Sequence, residues 1–271
     1  MAKIDKSLYS KEEFHRLREE KKQKKLQTKY NIVVDNNNKK NILCLKHGDK
    51  YNFDYVNKLF NGVKKYLQSP FNFFCITDNP KHLHKDIQVI PLPNLETKGW
   101  WFKTFLFSND LPISGTILYI DLDVVITNNL EKLFSYNPGQ FLIVRDFNRI
   151  LRPNYPKFNS SVMRFEKGSL SDLWIKFHSD YKNITRRFFG DQDFIYNEKQ
   201  GVAEFFPNDW ILSWKWEIRK SKTFASGGIK GFKKFQIIEN VEPPIDCCIA
   251  VFHGDPNPHL CEDPYIIKQW Q

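Results

Sequence analysis

Short apolar runs alternate with helical patterns through the first half of the sequence. In chain order the segments are NILCLK, FDYVNKLFNGVKKYL, FNFFCIT, WFKTFLFSNDL and TILYIDLD. The first, third and fifth have the length and composition of buried strands, and the other two have helical patterns. Strands that alternate with helices at these lengths indicate βαβ crossovers. We therefore predict an α/β fold with a Rossmann-like, mostly parallel central sheet flanked by helices.

The fifth segment ends on two aspartates, Asp121 and Asp123, before the chain returns to Val-Val-Ile. Two like charges this close repel each other, and burying either of them without a partner costs roughly several kcal/mol. In an extended or gently turned backbone the two side chains project to the same side, so both can face one hard divalent cation. The pair follows a predicted strand, and open α/β sheets bind ligands at the carboxyl ends of their strands.

The later part of the sequence has a mixed pattern. FLIVRDF and SSVMRF read as strands, a helix is predicted near residues 170–179, and FQIIE and CIAVFH read as late strands. We find no internal repeat.

The composition narrows the class of protein. A chain of 271 residues with 41% hydrophobic content can bury a sizeable core in one large domain or two small ones. No run approaches the roughly 18 consecutive apolar residues of a membrane span, and residues 1–20 lack the apolar centre of a secretory signal. We therefore expect a cytoplasmic protein without a transmembrane segment. The five cysteines form no C-x-x-C pair, which argues against a disulfide framework and a structural zinc site.

The net charge of +10 is concentrated near the N-terminus, where residues 1–40 hold twelve Lys and Arg against six Asp and Glu. The rest of the chain is close to balanced, so we expect no nucleic acid partner. We divide the chain into a charged extension and linker at 1–40 and a single domain at 41–271. Two interpretations of the extension stay open. It is a solubilising segment, or it contacts an anionic surface, such as a membrane, or a partner.

The segment LYIDLDVVITNNLEKLF resembles the D-x-D segment of GT-A glycosyltransferases. The ordered set LKHGDKYNFDYVNKL, FCITD, GWWFKTFLF, LYIDLDVVI, FNSSVM, GDQDFIY and VFHGDPNPH is similar to the glycogenin-like (family eight) nucleotide-diphospho-sugar transferases over residues 41–264. The resemblance implies a GT-A fold and transfer of a sugar, with a leaning towards retention, from a UDP-sugar or GDP-sugar donor. The acceptor would be a hydroxyl group of a glycan, a lipid or a protein.

The resemblance also implies roles for residues that bind the donor nucleotide. A tyrosine after the first strand stacks on the nucleobase in this family, which points to Tyr51, with Asp78 as a candidate for the base or ribose. Asp121 would contact the nucleotide through the metal. Lys103 lies where the family carries a basic residue before the D-x-D strand, and a cation there would offset charge on the departing diphosphate. Taken alone, Tyr51 is as well explained as a packing aromatic. The alternative for Lys103 is a surface lysine, which the apolar setting GWWFKTFLF disfavours.

A second group of residues corresponds to family positions around the donor sugar. FNSSVM matches the segment in which an Asn touches the sugar, which implies roles for Asn159 and Ser160. Asp146 is a further candidate for a sugar hydroxyl, with a salt bridge to a nearby Arg as the alternative. GDQDFIY matches a D-Q pair beside the anomeric carbon, which implies Asp191 and Gln192. The structural alternative for Asp191 is an N-cap, because Asp is favoured there. The family usually has Gly where this chain has a second Ser in FNSSVM.

The C-terminal family pattern reads H-x-x-G-x-x-K-P-W. Alignment on Gly254 puts Val251 at the His position and Asn257 at the Lys position. The resemblance then implies that His253 joins Asp121 and Asp123 as the third metal ligand from its neighbouring position, and a nitrogen ligand suits Mn²⁺ better than Mg²⁺. His259 is a weaker alternative ligand. Gly254 and Asn257 would contact the nucleotide, although the loss of the Lys removes one phosphate contact.

Three other interpretations stay open. A sugar-phosphate nucleotidyltransferase shares the carboxylates, metal and sheet, but would be expected to show a Gly-rich, basic phosphate loop after the first strand. A D-x-D phosphatase uses the two aspartates as nucleophile and acid, although that motif usually opens the fold. The third is a non-catalytic module that binds a sugar nucleotide or a glycan.

Overall fold

The computed structural model describes residues 10–29, 39–97, 99–219 and 241–271. Within these ranges the strands are short, and most of them are buried. They are β1 (Lys40–Lys46), β2 (Phe71–Thr77), β3 (Ile87–Pro91), β4 (Thr116–Ile120), β5 (Val124–Ile126), β6 (Leu142–Arg145), β7 (Phe158–Glu166), β8 (Glu204–Phe205), β9 (Ile211–Ser213) and β10 (Ile249–Val251).

The described helices differ in type as well as length. The α-helices are α1 (Lys11–Lys29), α2 (Phe53–Tyr66), α3 (Glu131–Ser135), α4 (Ser171–Arg187), α5 (Asp191–Lys199) and α6 (Pro264–Gln269). Three segments are 3₁₀-helical, namely Gly99–Phe107, Phe147–Ile150 and Pro258–Leu260, and Trp214–Ile218 is a π-helix. None of the described helices combines the length and apolar character that crossing a membrane requires.

Seven strands form the central sheet in the order β3-β2-β1-β4-β7-β6-β8. The pairs β3–β2, β2–β1, β1–β4 and β6–β8 are parallel, whereas β7 runs antiparallel to both of its neighbours. This arrangement confirms the predicted mostly parallel α/β sheet. The sequence analysis did not predict β3, whose five residues lie at the sheet edge and are only partly buried.

The two faces of the sheet are buried under different helices. Ile42 and Cys44 of β1 belong to a core shared with α2, while Leu43 and Leu45 point to the opposite face, where α4, α5 and the 3₁₀-helix Gly99–Phe107 pack. Successive strand residues face opposite sides, so a strand that is buried on both faces reads as a continuous apolar run. Each fully buried aliphatic side chain contributes about 1.5–3 kcal/mol.

A second, three-stranded sheet holds the late part of the chain beside the D-x-D segment. Its order is β5-β10-β9, with β10 antiparallel to β5 and parallel to β9. In this register Val251 lies opposite Val124 and Ser213, and the backbone N–H of Phe252 donates to the carbonyl of Asp123 at 2.8 Å. The loop that carries His253 is therefore joined to the D-x-D segment by main-chain hydrogen bonds.

One predicted strand boundary differs in the structure. The strand TILYIDLD was expected to include both aspartates, but β4 ends at Ile120 and Asp121–Asp123 form a bend before β5. The backbone N–H of Asp121 still donates to the carbonyl of Ser161 at 2.8 Å, so the bend stays attached to β7. The predicted strand FQIIE lies outside the described residues, and the division at residue 40 stays a prediction.

Candidate active site

Lys103 lies among polar side chains from three other segments, at the carboxyl edge of the parallel strands. Its Nζ atom is 2.8 Å from Asp121 Oδ2, 3.1 Å from Ser160 Oγ and 3.8 Å from Asp191 Oδ2. The Ser160 hydroxyl in turn donates to Asp191 Oδ2 at 2.7 Å. The Lys103 side chain is only 12% exposed, so the surface-lysine alternative is wrong.

The 3₁₀-helix that carries Lys103 is fixed by aromatic packing. Trp101 is buried and stacks on Phe177 of α4, with ring centroids 5.4 Å apart. The hydroxyl of Thr104 is also buried and donates to the carbonyl of Trp101. Burial alone would lower the pKa of Lys103, but the charges of Asp121 and Asp191 raise it above its ordinary value. The ammonium group therefore stays positively charged.

The two aspartates of the D-x-D segment have different partners. Asp121 accepts from the Tyr119 hydroxyl at 2.6 Å through Oδ1 and from Lys103 through Oδ2. Asp123 accepts from the Tyr51 hydroxyl at 3.1 Å. Burial, and next the charge of Asp121, raise the pKa of Asp123 to about 6. Contacts within the protein thus satisfy Asp121, whereas the negative charge of Asp123 is only partly offset.

Asp191 is the first residue of α5 and is 5% exposed. The N-cap position belongs to Gly190, so the capping alternative for Asp191 is wrong. A Cβ atom on Gly190 would lie 3.1 Å from Trp100 Nε1, which explains a glycine at this close approach. Burial raises the pKa of Asp191, while Lys103 and Ser160 oppose the shift. Gln192 follows in the same turn and is half-buried.

An irregularity in β7 accompanies the placement of Ser160. The register of β6 against β7 moves from Ile143 opposite Met163 to Val144 opposite Asn159. Bulges of this kind re-aim side chains next to functional sites. Asn159 Oδ1 accepts the backbone N–H of Ser161 at 3.0 Å, so this buried side chain holds the same irregular stretch.

A cavity of about 230 Å³ opens at the carboxyl ends of β1 and β2. Its lining residues are Lys46, Gly48, Asp49, Tyr51, Asn52, Phe53, Asn79, Lys81 and His82. Tyr51 thus has one side towards this cavity and its hydroxyl on Asp123. Asp78 does not line the cavity. Its carboxylate accepts the backbone N–H of Gly48 at 2.8 Å and so fixes the loop that does.

His253 is half-buried against aromatic rings and makes no hydrogen bond to the carboxylates among the described residues. Its Nε2 atom lies 2.6 Å from Ser213 Oγ, Phe147 stacks on its ring at 5.1 Å, and Trp216 packs edge-on at 4.5 Å. Burial, and next the charge of Lys215, lower the pKa of His253 to about 3. The imidazole is therefore neutral at physiological pH, which is the state that a metal ligand requires.

The predicted metal ligands are not assembled in this structure. The described ranges hold no cluster of three or more His, Cys, Asp and Glu side chains with metal-binding geometry. The donor types nevertheless fit a hard divalent cation, because Asp123 carries a partly offset charge and His253 is neutral.

Three predicted residues lie apart from the Lys103 cluster. Asp146 caps the 3₁₀-helix Phe147–Ile150, since its Oδ1 accepts from the backbone and side-chain nitrogens of Asn148 at 2.8 and 2.6 Å. Asp146 forms no ion pair with an Arg in the described part of the chain, which contradicts the salt-bridge alternative. His259 contacts the Tyr55 hydroxyl through Nδ1. Asn257 precedes the last 3₁₀-helix, and its buried Oδ1 has no hydrogen-bond partner among the described residues.

Sequence reasoning missed Tyr119 and Lys215. Tyr119 stands two residues before Asp121, a spacing that puts both side chains on one side of an extended chain, and this signal was available. Lys215 is 3% exposed, and its Nζ donates to the His253 carbonyl at 2.6 Å. Burial lowers the pKa of Lys215 to about 8, against the opposing charges of Asp255 and Asp123. A lone lysine between tryptophans, as in SWKWEI, was the available signal.

No protein-family model and no curated protein matches this chain. Several solved structures, however, match this chain. Galactosyltransferase LgtC in complex with donor and acceptor sugar analogs matches over 85% of this chain and 91% of its own, with a TM-score of 0.53 at 12% identity. Glycosyltransferase GlyE of Streptococcus pneumoniae TIGR4 matches over 86% of this chain and 60% of its own, with a TM-score of 0.61 at 12% identity.

The bifunctional glycosyltransferase WbbM matches over 88% of this chain and 50% of its own, with a TM-score of 0.58 at 11% identity. The chain therefore spans nearly all of LgtC, but 60% of GlyE and half of WbbM. At these identities the likeness concerns the fold. It shows that this chain has the GT-A fold of these glycosyltransferases, as the sequence predicted.

Proposed function

We propose that this protein is a glycosyltransferase that moves a sugar from a nucleotide diphosphate donor, a UDP-sugar or a GDP-sugar, to an acceptor hydroxyl. The observation that carries the proposal is the buried cluster of Lys103 with Asp121 and Asp191, next to the partly offset Asp123. The cluster lies at the carboxyl edge of a parallel sheet, where α/β folds bind ligands. The fold shared with LgtC, GlyE and WbbM supports the same activity.

The nucleoside would occupy the cavity at the ends of β1 and β2, with Tyr51 against the base. Two lysines, Lys46 and Lys81, also line this cavity and favour an anionic ligand. Asp78 would act through the loop that it fixes rather than by direct contact. Tyr51 lines this cavity and its hydroxyl donates to Asp123, so the proposed base site adjoins the D-x-D carboxylates.

The chain's own charges would position the donor sugar and the leaving diphosphate. Lys103 remains cationic and holds Asp121 and Asp191 in fixed positions. Asp191 presents a carboxylate that favours positive charge developing on the sugar as its bond to phosphate breaks. Gln192, Asn159 and Ser160 are the proposed sugar contacts around it. Asp146, Gly254 and Asn257 remain proposed contacts of the sugar and nucleotide.

Asp121 and Asp123, with His253 as a further ligand, would hold a divalent cation, Mn²⁺ or Mg²⁺. When bound, such a cation supplies positive charge to the leaving diphosphate. The phosphatase alternative is disfavoured because the D-x-D motif of such enzymes usually opens the fold, whereas here β1, α2, β2 and β3 precede β4 and Asp121.

Thermal unfolding with nucleoside diphosphates and sugar nucleotides, with and without Mn²⁺, tests the proposal. A ligand at about 100 times its dissociation constant stabilises the folded state by roughly 2.7 kcal/mol, or several degrees for a chain of this size. Donors that stabilise the protein are then assayed for hydrolysis and for transfer to candidate acceptors. Absence of stabilisation by any nucleoside diphosphate would contradict the proposal, and hydrolysis of phosphomonoesters would favour the phosphatase.

A further inference from the structure

A second cavity has no part in the reaction as described above. It has a volume of about 430 Å³ and lies between the loop before the 3₁₀-helix Gly99–Phe107 and the C-terminal half of α4. This volume falls within the range of small-molecule sites, roughly 300–1,000 Å³. The lining residues are Leu95, Glu96, Thr97, Trp101, Tyr181 and Thr185.

The lining of this cavity combines an aromatic ring with hydroxyl groups and one carboxylate. Trp101 is held in place by its stacking on Phe177, and Glu96 Oε2 accepts from the Tyr181 hydroxyl at 2.5 Å. The Thr97 hydroxyl has no hydrogen-bond partner among the described residues. No Lys, Arg or His of the described ranges lines this cavity, in contrast to the proposed nucleoside cavity. The lining therefore suits a neutral ligand that has both an apolar face and hydroxyl groups, rather than a nucleotide.

Two exposed aromatic rings adjoin Asp191. Trp100 is 51% exposed and Phe189 is 85% exposed, and the two rings stack with their centroids 6.1 Å apart. Trp100 also lies against Gly190, the residue before Asp191. Large aromatic side chains are mostly buried in folded proteins, and a group of them on the surface marks a binding site.

The same two segments of the chain build the aromatic pair and the cavity. Residues 95–101 supply Trp100 to the pair, and residues 181–189 supply Phe189, which follows Thr185 of the cavity by four positions. Both segments then continue into the proposed reaction site, the first to Lys103 and the second to Asp191. The pair and the cavity thus form one surface that begins beside the reacting groups.

We infer that the acceptor is a neutral oligosaccharide, with the sugar that carries the reacting hydroxyl stacked on Trp100 and Phe189 and a further sugar unit in the cavity. A sugar ring has C–H groups on its face, which pack on an aromatic ring, and hydroxyl groups at its edge, which bond to Glu96 and its neighbours. The acceptor oxygen bonds to the anomeric carbon as the bond from that carbon to the diphosphate breaks, and the hydroxyl proton is released with the nucleoside diphosphate.

This inference rests on the proposed function and names the acceptor class that the proposed function leaves open. An acceptor with a lipid chain would require a continuous apolar groove. The cavity instead carries the carboxylate of Glu96 and the hydroxyls of Thr97, Tyr181 and Thr185.

The test begins with binding of wild type to a printed array of neutral and acidic oligosaccharides, in Mn²⁺ and the nucleoside diphosphate that stabilises the protein. The bound oligosaccharide and the same molecule shortened by one sugar unit are then compared by titration calorimetry. Phe189→Ala and Trp100→Ala should each weaken oligosaccharide binding by about twofold to tenfold, the scale of an aromatic contact, and more than they weaken nucleotide binding. Phe189→Tyr should retain the affinity.

Thr185→Phe, which fills the cavity, should remove the affinity advantage of the longer saccharide over the shortened one. If this variant lacks a cooperative melting transition, Glu96→Ala decides by the same comparison, because it removes a group of the cavity at an exposed residue. Ile175→Ala removes an exposed apolar side chain elsewhere on α4 and is the control, with no change expected in either affinity.

Unchanged saccharide affinity in both alanine variants of the aromatic pair would overturn the stacking, and a retained advantage of the longer saccharide would overturn the cavity subsite. A wild-type protein that binds no oligosaccharide of the array, or that transfers sugar only to a lipid or a peptide, overturns the inference and leaves the proposed function intact. Saccharide binding without binding of any nucleoside diphosphate overturns the proposed function and, with it, the acceptor role.

Discussion

Asp123→Asn should remove metal-dependent donor binding and transfer without destabilising the protein in metal-free buffer. Burial and the charge of Asp121 raise the pKa of Asp123 from 3.8 to about 6. The folded protein therefore holds this proton more tightly than the unfolded chain does. The associated stability is present below about pH 4 and is lost as pH rises through about 6. At about 1.4 kcal/mol for each factor of ten in proton affinity, the ionised carboxylate costs the folded state about 3 kcal/mol.

An asparagine removes that cost, and its carbonyl oxygen can still accept from the Tyr51 hydroxyl. The melting temperature of Asp123→Asn in chelator, well above pH 6, should therefore equal or exceed that of wild type. Full recovery of the cost would raise it by on the order of 5–10 °C. The difference between variant and wild type should shrink as pH falls below about 6, because wild-type Asp123 then becomes neutral as well.

The assay is thermal unfolding as a function of pH in chelator, followed by donor binding and transfer in Mn²⁺. Asp209→Asn, at an exposed carboxylate, is the matched control and should change neither stability nor transfer. An Asp123→Asn protein that melts well below wild type in chelator would show that the carboxylate is structural. Full transfer activity of wild type in chelator would refute the proposed metal.

Three further perturbations follow from the same contacts. Lys103→Ala leaves two carboxylates unpaired, so we expect a loss of about 3–5 kcal/mol in denaturant unfolding, and turnover should fall more than donor affinity. An unchanged rate would contradict the catalytic role. His253→Ala should reduce the preference for Mn²⁺ over Mg²⁺ without abolishing transfer, measured as rate against each metal. Deleting residues 1–38 should preserve folding and donor binding, since the exposed ion pair of Lys22 with Asp110 is worth at most about 1 kcal/mol. An insoluble truncation would refute this expectation.

The elements that the sequence determined are those with a strong local pattern. The side chains that β1, β2 and α2 bury are mostly apolar, and this pattern is visible in the sequence without any partner. The sequence also predicted that the D-x-D pair lies at a strand end. Two carboxylates in the middle of a buried strand would cost too much free energy, so the strand must end where they begin. β3 was missed, since a short, partly buried edge strand has no such pattern.

Tertiary structure decided which charges meet. Asp191 and Tyr51 reach the D-x-D pair from segments about 70 residues away on either side, and Lys103 joins Asp121 to Asp191 across three elements. No local periodicity encodes such contacts, because they depend on how the helices pack on the sheet. The same packing buries Lys215 and turns His253 towards Ser213. Sequence thus supplied the residue types, whereas long-range packing set the distances and burial that give each group its charge and its partner.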